Sequence, residues 1–472
     1  MPIQYFNSLT RQVEPFAPRE DGRVSLYTCG PTVYNYAHIG NFRAYIFEDL
    51  LQRHLEFRGL AITRVMNLTD VDDKTIRGCR AAGVPLAEFT QPFKTAFFDD
   101  LKTLRIKPAQ HFPEATAANH IARMIAMIAT LIERGHAYRA DDGSVYFRIA
   151  SFPAYGRLAH LNLDELRPGA RVASDEYEKE NIGDFALWKA WDEADGDVAW
   201  DSPWGRGRPG WHIECSAMAT GILGPQIDIH CGGEDNIFPH HEAEIAQTEC
   251  VTGQPFVRLW MHCKHLLVDN QKMSKSAGNF YTLRDLLDKG RTGREVRYAL
   301  LSVKYREPLN FTFDGLDAAR SALARLDEWS RRLDEFLTTN PAQPLDPSQL
   351  STLNSQLGLE AFGAALDDDL NISAALGAVF EVIRETNKRL DAGSLTPGQA
   401  RALANWRDQV NTVLAFEPES TAIPLEVESL LAERASARAA KNFPESDRLR
   451  DEIARLGWTV KDTKDGQKLS KS

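Results

Sequence analysis

The sequence predicts an α/β protein: a parallel-sheet domain interrupted by an insertion, then an α-helical bundle and a small terminal module. Three observations carry this. Apolar runs at 24–27 and 61–66 flank an amphipathic stretch at 43–58, the strand–helix–strand rhythm of a Rossmann-like domain. A strand-like run at 226–230, followed by a helix from Pro239, resumes the rhythm far downstream, so the domain is discontinuous. After Asn310-Phe311-Thr312-Phe313 the pattern becomes almost wholly helical.

In order, the first part of the sheet domain spans 1–118. Its insertion spans 119–204, opening with a helix at 121–134 and a hairpin that pairs 137–138 with 145–147 across Asp141-Asp142-Gly143. The sheet domain resumes over 205–262, and a connecting region covers 263–315. The bundle, 316–416, has helical patterns at 316–337, 353–366, 372–390 and 397–416. A linker at 417–424 leads to the terminal module, 425–472, which ends in a lysine-rich stretch. No repeat of fixed period stands out.

With 472 residues, two to four domains are expected, and 43% hydrophobic residues suffice to pack them. The formal charge of -11, from 55 basic and 66 acidic residues, argues against a protein that grips nucleic acid over its whole surface but leaves local basic patches open. The start, Met1-Pro2-Ile3-Gln4-Tyr5, has no basic stretch before an apolar run, and no segment is apolar enough to span a bilayer. A cytoplasmic location is expected. Six cysteines make neither a dense disulfide framework nor a CxxC pair. Cys79, Cys250 and Cys263 read as packing residues, and Cys231 as a small filler beside a glycine pair.

Ligands of a parallel sheet bind beyond the carboxyl ends of its strands, so chemistry is expected after Tyr27, Met66 and later strand ends. His38 and Gly40 arrive together at a strand-to-helix turn, in Tyr36-Ala37-His38-Ile39-Gly40-Asn41. Lys272-Met273-Ser274-Lys275-Ser276 places two ammonium groups on a hydroxyl-rich loop suited to a triphosphate. Cys29 follows the first strand, Cys215 closes Gly210-Trp211-His212-Ile213-Glu214-Cys215, and Phe238-Pro239-His240-His241-Glu242-Ala243-Glu244 opens a helix. His240 and Glu244 stand one helical turn apart, as two ligands of one ion should, and with both thiols they make a plausible zinc set. His241 with Glu244 at i+3 fits the same geometry. From local sequence alone, packing cysteines and a capping histidine explain the pattern more simply. Asp70, Asp72 and Asp73 could suggest magnesium, with turn capping the simpler reading.

The segments around His38 and Lys272 resemble the HIGH and KMSKS signatures of class I aminoacyl-tRNA synthetases. Those around Cys29, Cys215 and His240 resemble the cysteinyl-tRNA synthetases nearly residue for residue, along most of the chain. The resemblance implies zinc on Cys29, Cys215, His240 and Glu244, and only it decides between the two histidines. It implies that His38 contacts the phosphate region, that Gly40 gives the adenosine room, and that Lys272 and Lys275 neutralise the departing pyrophosphate. Gly232, Gly233 and Asp235 are implied in the adenylate pocket, and Asn41 replaces the usual second histidine. Cys29, Gly30, Thr69, Trp211 and His240 are implied beside the cysteine substrate.

Implied partners are ATP with Mg2+, L-cysteine and tRNA(Cys), the last bound by the bundle and by an anticodon-reading terminal module. The implied oligomeric state is a monomer. Leu366-Asp367-Asp368-Asp369-Leu370-Asn371 matches a familiar junction. The insertion is expected to be structural or tRNA-facing, without proofreading. Lys468-Leu469-Ser470-Lys471-Ser472 imitates the lysine loop and is read as a decoy, since no pocket or following helix is expected there.

Overall fold

Four parallel strands bring the motif-bearing turns of the protein to one edge. The computed structural model describes residues 2–161, 183–274, 276–341, 343–418, 424–463 and 466–471. The chain forms two compact units, Met1–Phe416 and Glu417–Ser472.

In the first unit an N-terminal hairpin, β1 (Gln4–Asn7) and β2 (Gln12–Pro15), precedes β3 (Arg23–Thr28), α1 (Ile39–Phe57) and β4 (Ala61–Met66). The expected strand–helix–strand unit is present, with α1 starting four residues earlier than its apolar pattern. Next come α2 (Asp73–Ala82), α3 (Leu86–Thr103) and the insertion. The insertion holds α4 (Ala118–Glu133) and an antiparallel sheet of β5 (Ala137–Arg139), β6 (Val145–Phe147), β7 (Phe185–Ala190) and β8 (Gly207–Pro209), so it runs past the expected boundary at 204, because β8 completes its sheet by pairing with β7. Ala137 pairs with Phe147 and Tyr138 with Tyr146, the register the sequence predicts. Gly143 takes the left-handed conformation (φ 91°) that its turn requires.

The sheet domain resumes with α5 (Trp211–Leu223), β9 (Ile227–Gly233), α6 (Glu242–Thr252) and β10 (Val257–Cys263). Its sheet order is β10-β9-β3-β4, all parallel, so the chain after Thr28, Met66, Gly233 and Cys263 emerges at one rim. The helix expected from Pro239 begins as a wide π-type turn, and the regular α-helix is established from Glu242. Phe238, just before it, is extended (φ -137°, ψ 132°) and kinks the chain ahead of Pro239.

Beyond β10, β11 (Leu266–Val268) and β12 (Gln271–Lys272) form a hairpin whose two turn residues, Asp269 and Asn270, both have positive φ (49° and 61°). That is the twist-matched turn of a two-residue hairpin, and Asp and Asn tolerate it. Then come α7 (Leu283–Asp288), α8 (Gly293–Leu301) and β13 (Leu309–Phe311), which pairs with β11. The bundle is α9 (Phe313–Thr339), α10 (Pro347–Gln356), α11 (Glu360–Asp367), α12 (Ile372–Asp391) and α13 (Pro397–Leu414). The single helix expected at 353–366 is two, because Gly358 takes φ 69° and ends the first. The aspartates of the 366–371 junction clasp the first strand region. Asp367 receives Arg58 and faces His54, and Asp369 accepts from the Phe6 N–H, the Tyr305 hydroxyl and Arg306.

The second unit pairs α14 (Leu425–Ala439) with α15 (Phe443–Arg455) over a hairpin of β14 (Trp458–Thr463) and β15 (Gly466–Lys471). Leu449, Ile453 and Trp458 are in its small core. The lysine-rich end is therefore strand through Lys471, with Ser472 outside the described residues. Among the described residues no helix is long and apolar enough to cross a membrane.

Polar side chains buried along α1 are held by partners far away in sequence. The Asp49 carboxylate accepts from Arg53 (2.8 Å), from Arg297 (2.6 Å) and from the Lys107 N–H (2.8 Å), and neither Asp49 nor Arg297 is exposed. Burial pushes the Asp49 carboxyl up, but Arg297 and Arg53 outweigh it and leave its pKa below the usual carboxylate value. A depressed folded-state pKa adds stability above the unfolded-state value of about 4, and this is lost as pH falls through the folded-state value. Asp49→Ala strands the Arg297 charge in the core and is expected to destabilise the first unit by about 3–5 kcal/mol. Urea unfolding at neutral pH checks this; the deficit against wild type should shrink below about pH 4.

Candidate metal centre and nucleotide site

Cys29 leaves β3 at the sheet rim, and three other segments converge on its sulfur. Cys215 lies on the second turn of α5, His240 and His241 on the turn before α6, and Glu244 in the first turn of α6. His240 Nε2 lies 3.3 Å from Cys215 Sγ and 3.3 Å from Glu244 Oε1. His241 Nε2 lies 3.4 Å from Cys29 Sγ and 3.8 Å from Glu244 Oε1. Two sets of ligand atoms fall within 4.8 Å of one another: Cys29, Cys215, His240 and Glu244, and Cys29, His230, His241 and Glu244. Both histidines thus aim one nitrogen at the cluster, as the i+3 and i+4 spacings allowed.

The surroundings suit a cation. Glu244 Oε1 is buried without a hydrogen-bond partner among the described residues, an arrangement that costs free energy unless a positive group satisfies it. Two thiols, an imidazole and a carboxylate form a donor set of zinc type. The hydrogen bond with Cys215, then burial, pushes the Cys29 thiol up. Burial pushes His240 down to about 3, leaving a neutral imidazole with a free lone pair for a metal.

A second layer holds these donors in place. His240 Nδ1 meets His212 Nδ1 at 2.9 Å, His241 Nδ1 meets His262 Nε2 at 2.8 Å, and His230 Nε2 meets Glu244 Oε2 at 3.0 Å. His230 stacks on Trp260 with centroids 4.6 Å apart, and Trp211 packs on His240 at 4.3 Å. Sequence reasoning gave no role to His212, His230 or His262. The available signal was position for His262, which lies next to the carboxyl end of β10, where such a sheet gathers its ligands; His230 is midway along β9 and carried no such signal.

Beside the centre, the Gly30 N–H donates to Asn67 Oδ1 (3.0 Å), and a Cβ at Gly30 would sit 1.7 Å from the Asn67 carbonyl oxygen. No larger residue fits. Thr69 is buried, its hydroxyl accepting from Asn67 Nδ2 at 3.1 Å. At the end of β9, a Cβ on Gly232 would press on the His241 ring (2.9 Å) and one on Gly233 on Asp235 Oδ1 (2.2 Å). Asp235 itself is exposed.

His38 is the N-cap of α1. Its Nδ1 accepts from the Asn41 N–H (3.2 Å) while Asn41 Oδ1 accepts from the His38 N–H (3.1 Å), a reciprocal capping box. Asn41 therefore has a local structural function that needs hydrogen-bonding capacity and no charge. The lysine loop meets this turn directly. His38 bridges Thr282, the Ile39 N–H donates to the Tyr281 carbonyl (3.0 Å), and a Cβ at Gly40 would lie 3.2 Å from Met273 Cε. Asn279 braces the loop, accepting from the Ser274 N–H (2.9 Å) and donating to the Lys272 carbonyl (3.3 Å). Lys272 is exposed at the end of β12, and Lys275 lies outside the described residues.

The acidic cluster at 70–73 is already engaged. Asp70 accepts from Lys94 (3.0 Å) and Thr116, Asp72 caps α2, and Asp73 pairs with Arg208 and Lys189. The capping reading holds for Asp72, whereas Asp70 and Asp73 are held in ion pairs. All six cysteines are unbridged and buried.

Residues 15–321 match the family model for the tRNA synthetases class I (C) catalytic domain. Over 477 residues the chain is 50% identical to the "Cysteine--tRNA ligase" of Protochlamydia amoebophila, covering 100% of this chain and 98% of that protein. The chain belongs to the cysteine–tRNA ligase family. The ligase of that name from Chlamydia muridarum is also 50% identical, over 482 residues and the full length of both chains. Models for a DALR domain and for the cysteinyl-tRNA ligase anticodon binding domain match residues 361–416 and 420–468. More distant synthetases share the fold. A Mycobacterium tuberculosis methionyl-tRNA synthetase solved with methionyl-adenylate has a TM-score of 0.61 at 16% identity, covering 84% of this chain and 90% of that one. The LeuRS of a ternary complex from Agrobacterium radiobacter gives 0.62 at 14%, covering 85% and 84%. The cysteine–tRNA ligase fold here is thus the class I fold with a buried sulfur, nitrogen and carboxylate cluster at its strand ends.

Proposed function

We propose that the chain activates L-cysteine with ATP and passes it to the 3′-terminal adenosine of tRNA(Cys). The observation that carries this reading is the four-donor cluster of Cys29, Cys215, His240 and Glu244 at the strand ends, in a chain half identical to cysteine–tRNA ligases. The cysteine carboxylate attacks the α-phosphorus of ATP, the bond to the β-phosphate oxygen breaks, and pyrophosphate leaves with the electron pair. No protein nucleophile or general base is required, so positioning and charge neutralisation carry the rate.

In this reading Cys29, Cys215, His240 and Glu244 hold zinc, which when bound takes the substrate as a thiolate that serine cannot match at neutral pH. Trp211, Thr69 and Gly30 line the cysteine side. His38 reaches the phosphates, Gly40, Gly232, Gly233 and Asp235 receive the adenosine, and Lys272 and Lys275 neutralise pyrophosphate as it departs. Asn41 fixes the His38 imidazole through the capping box. Mg2+ travels with ATP on its phosphates and water. The bundle, 316–416, and the terminal module, 425–472, serve the tRNA body and anticodon, and the 119–204 insertion needs no proofreading centre.

The test is cysteine-dependent ATP–pyrophosphate exchange run beside charging of tRNA(Cys), with serine as competitor and zinc quantified in the same preparation. Exchange and charging together, with serine excluded and about one zinc per chain, are expected. Exchange without charging would point instead to a ligase that acylates a small acceptor such as an amino sugar. Full selectivity without zinc would refute the metal reading.

A further inference from the structure

Between Gly30 and His38 the chain exposes two aromatic rings, Tyr34 at 40% and Tyr36 at 42%, where large side chains are ordinarily covered. Each carries a cation over its face. Lys74 Nζ of α2 lies 5.5 Å from the Tyr34 ring, and the Arg284 guanidinium of α7 lies 5.0 Å from the Tyr36 ring. Arg284 is anchored by two bonds from Nη1 to the carboxylate of Asp100 (2.8 and 2.7 Å), so its plane is set in advance. The Phe93 edge supports Tyr36 from the side at 5.4 Å. Tyr36 and Arg284 open onto a cavity of about 780 Å³ floored by Pro92, Thr95 and Ala96.

These rings lie two and four residues before His38, and Arg284 lies two residues after Thr282, which bridges His38. The platform therefore borders the place where activated amino acid and acceptor must meet. Exposed aromatics interleaved with cations are the means by which proteins hold single-stranded nucleic acid, since every base has a face to stack and every linkage a charge. Glu88 and Asp99 on the cavity wall repel phosphate and leave the cavity itself to bases.

We propose that Tyr34 and Tyr36 stack the unpaired 3′ bases of the bound tRNA and, with Lys74 and Arg284, lead its terminal ribose to the His38 turn. This rests on the reading of the protein as a tRNA ligase. The experiment measures binding of tRNA(Cys) with and without its CCA end to wild type, Tyr34→Ala, Tyr36→Ala and Tyr36→Phe. Cysteine-dependent exchange and single-turnover transfer are followed in the same preparations.

Stacked bases give an expected gain of about tenfold or more in affinity from the CCA end in wild type, retained in Tyr36→Phe and much reduced in both alanine variants. Transfer should slow in the alanine variants while exchange stays at the wild-type rate. An unchanged CCA contribution in every variant would overturn the proposal. So would equal loss in Tyr36→Phe, which would mean a hydroxyl contact, or a parallel fall in exchange, which would place the rings in the adenylate site. Absence of exchange in wild type would instead refute the ligase reading, leaving the two failures distinct.

Discussion

Cys215→Ala is expected to drop bound zinc well below one per chain and to raise the KM for cysteine by about 100-fold or more. Removing an outer partner of a metal ligand already costs about 10–100-fold, and a direct ligand lies at or beyond the upper end. Cys215 is buried on α5 with its sulfur 3.3 Å from His240 Nε2, so the substitution removes one donor from a cluster otherwise intact. Glu244→Ala should act likewise, whereas His241→Ala should spare the metal while loosening Cys29, which its Nε2 approaches at 3.4 Å. Metal analysis of the three proteins decides it. Equal zinc loss in His241→Ala and Glu244→Ala would move the ligand assignment to the second donor set. The metal should also leave more readily as pH falls, because protons compete for both thiols and imidazole.

The second large effect falls on the lysine loop. Lys275→Ala is expected to slow adenylate formation about 10²–10³-fold, the usual cost of removing one preorganised group that meets transition-state charge. Zinc content and cysteine binding should not change. Lys272→Ala should act in the same direction, and Asn279 braces the Lys272 carbonyl. Pre-steady-state formation of cysteinyl-adenylate measures both, and a wild-type rate in Lys275→Ala would remove the loop from the reaction.

Much of this was legible in the chain itself. The strand at 61–66 falls on its predicted bounds, the 24–27 strand gains one residue at each end, and the hairpin register of Ala137 with Phe147 is as read. Period-2 and period-3.6 patterns are local properties, set by which faces must be apolar. Prediction failed where one residue's backbone conformation outweighed a pattern. The apolar spacing of 353–366 runs through Gly358, whose left-handed turn ends α10.

The site divides in the same manner. Sequence by itself determined the donor types, the i+4 pair of His240 and Glu244, the strand-end position of Cys29, and a substitution at Asn41 that keeps hydrogen-bonding capacity. Tertiary structure alone decided that Asn41 closes a capping box with His38, that Tyr34 and Tyr36 stay uncovered, and which nitrogen of each histidine faces the cluster. An imidazole's orientation follows the partner of its other nitrogen. Those partners, His212 for His240 and His262 for His241, are 28 and 21 residues away and meet them only when the strands and helices of the sheet domain close around Cys29.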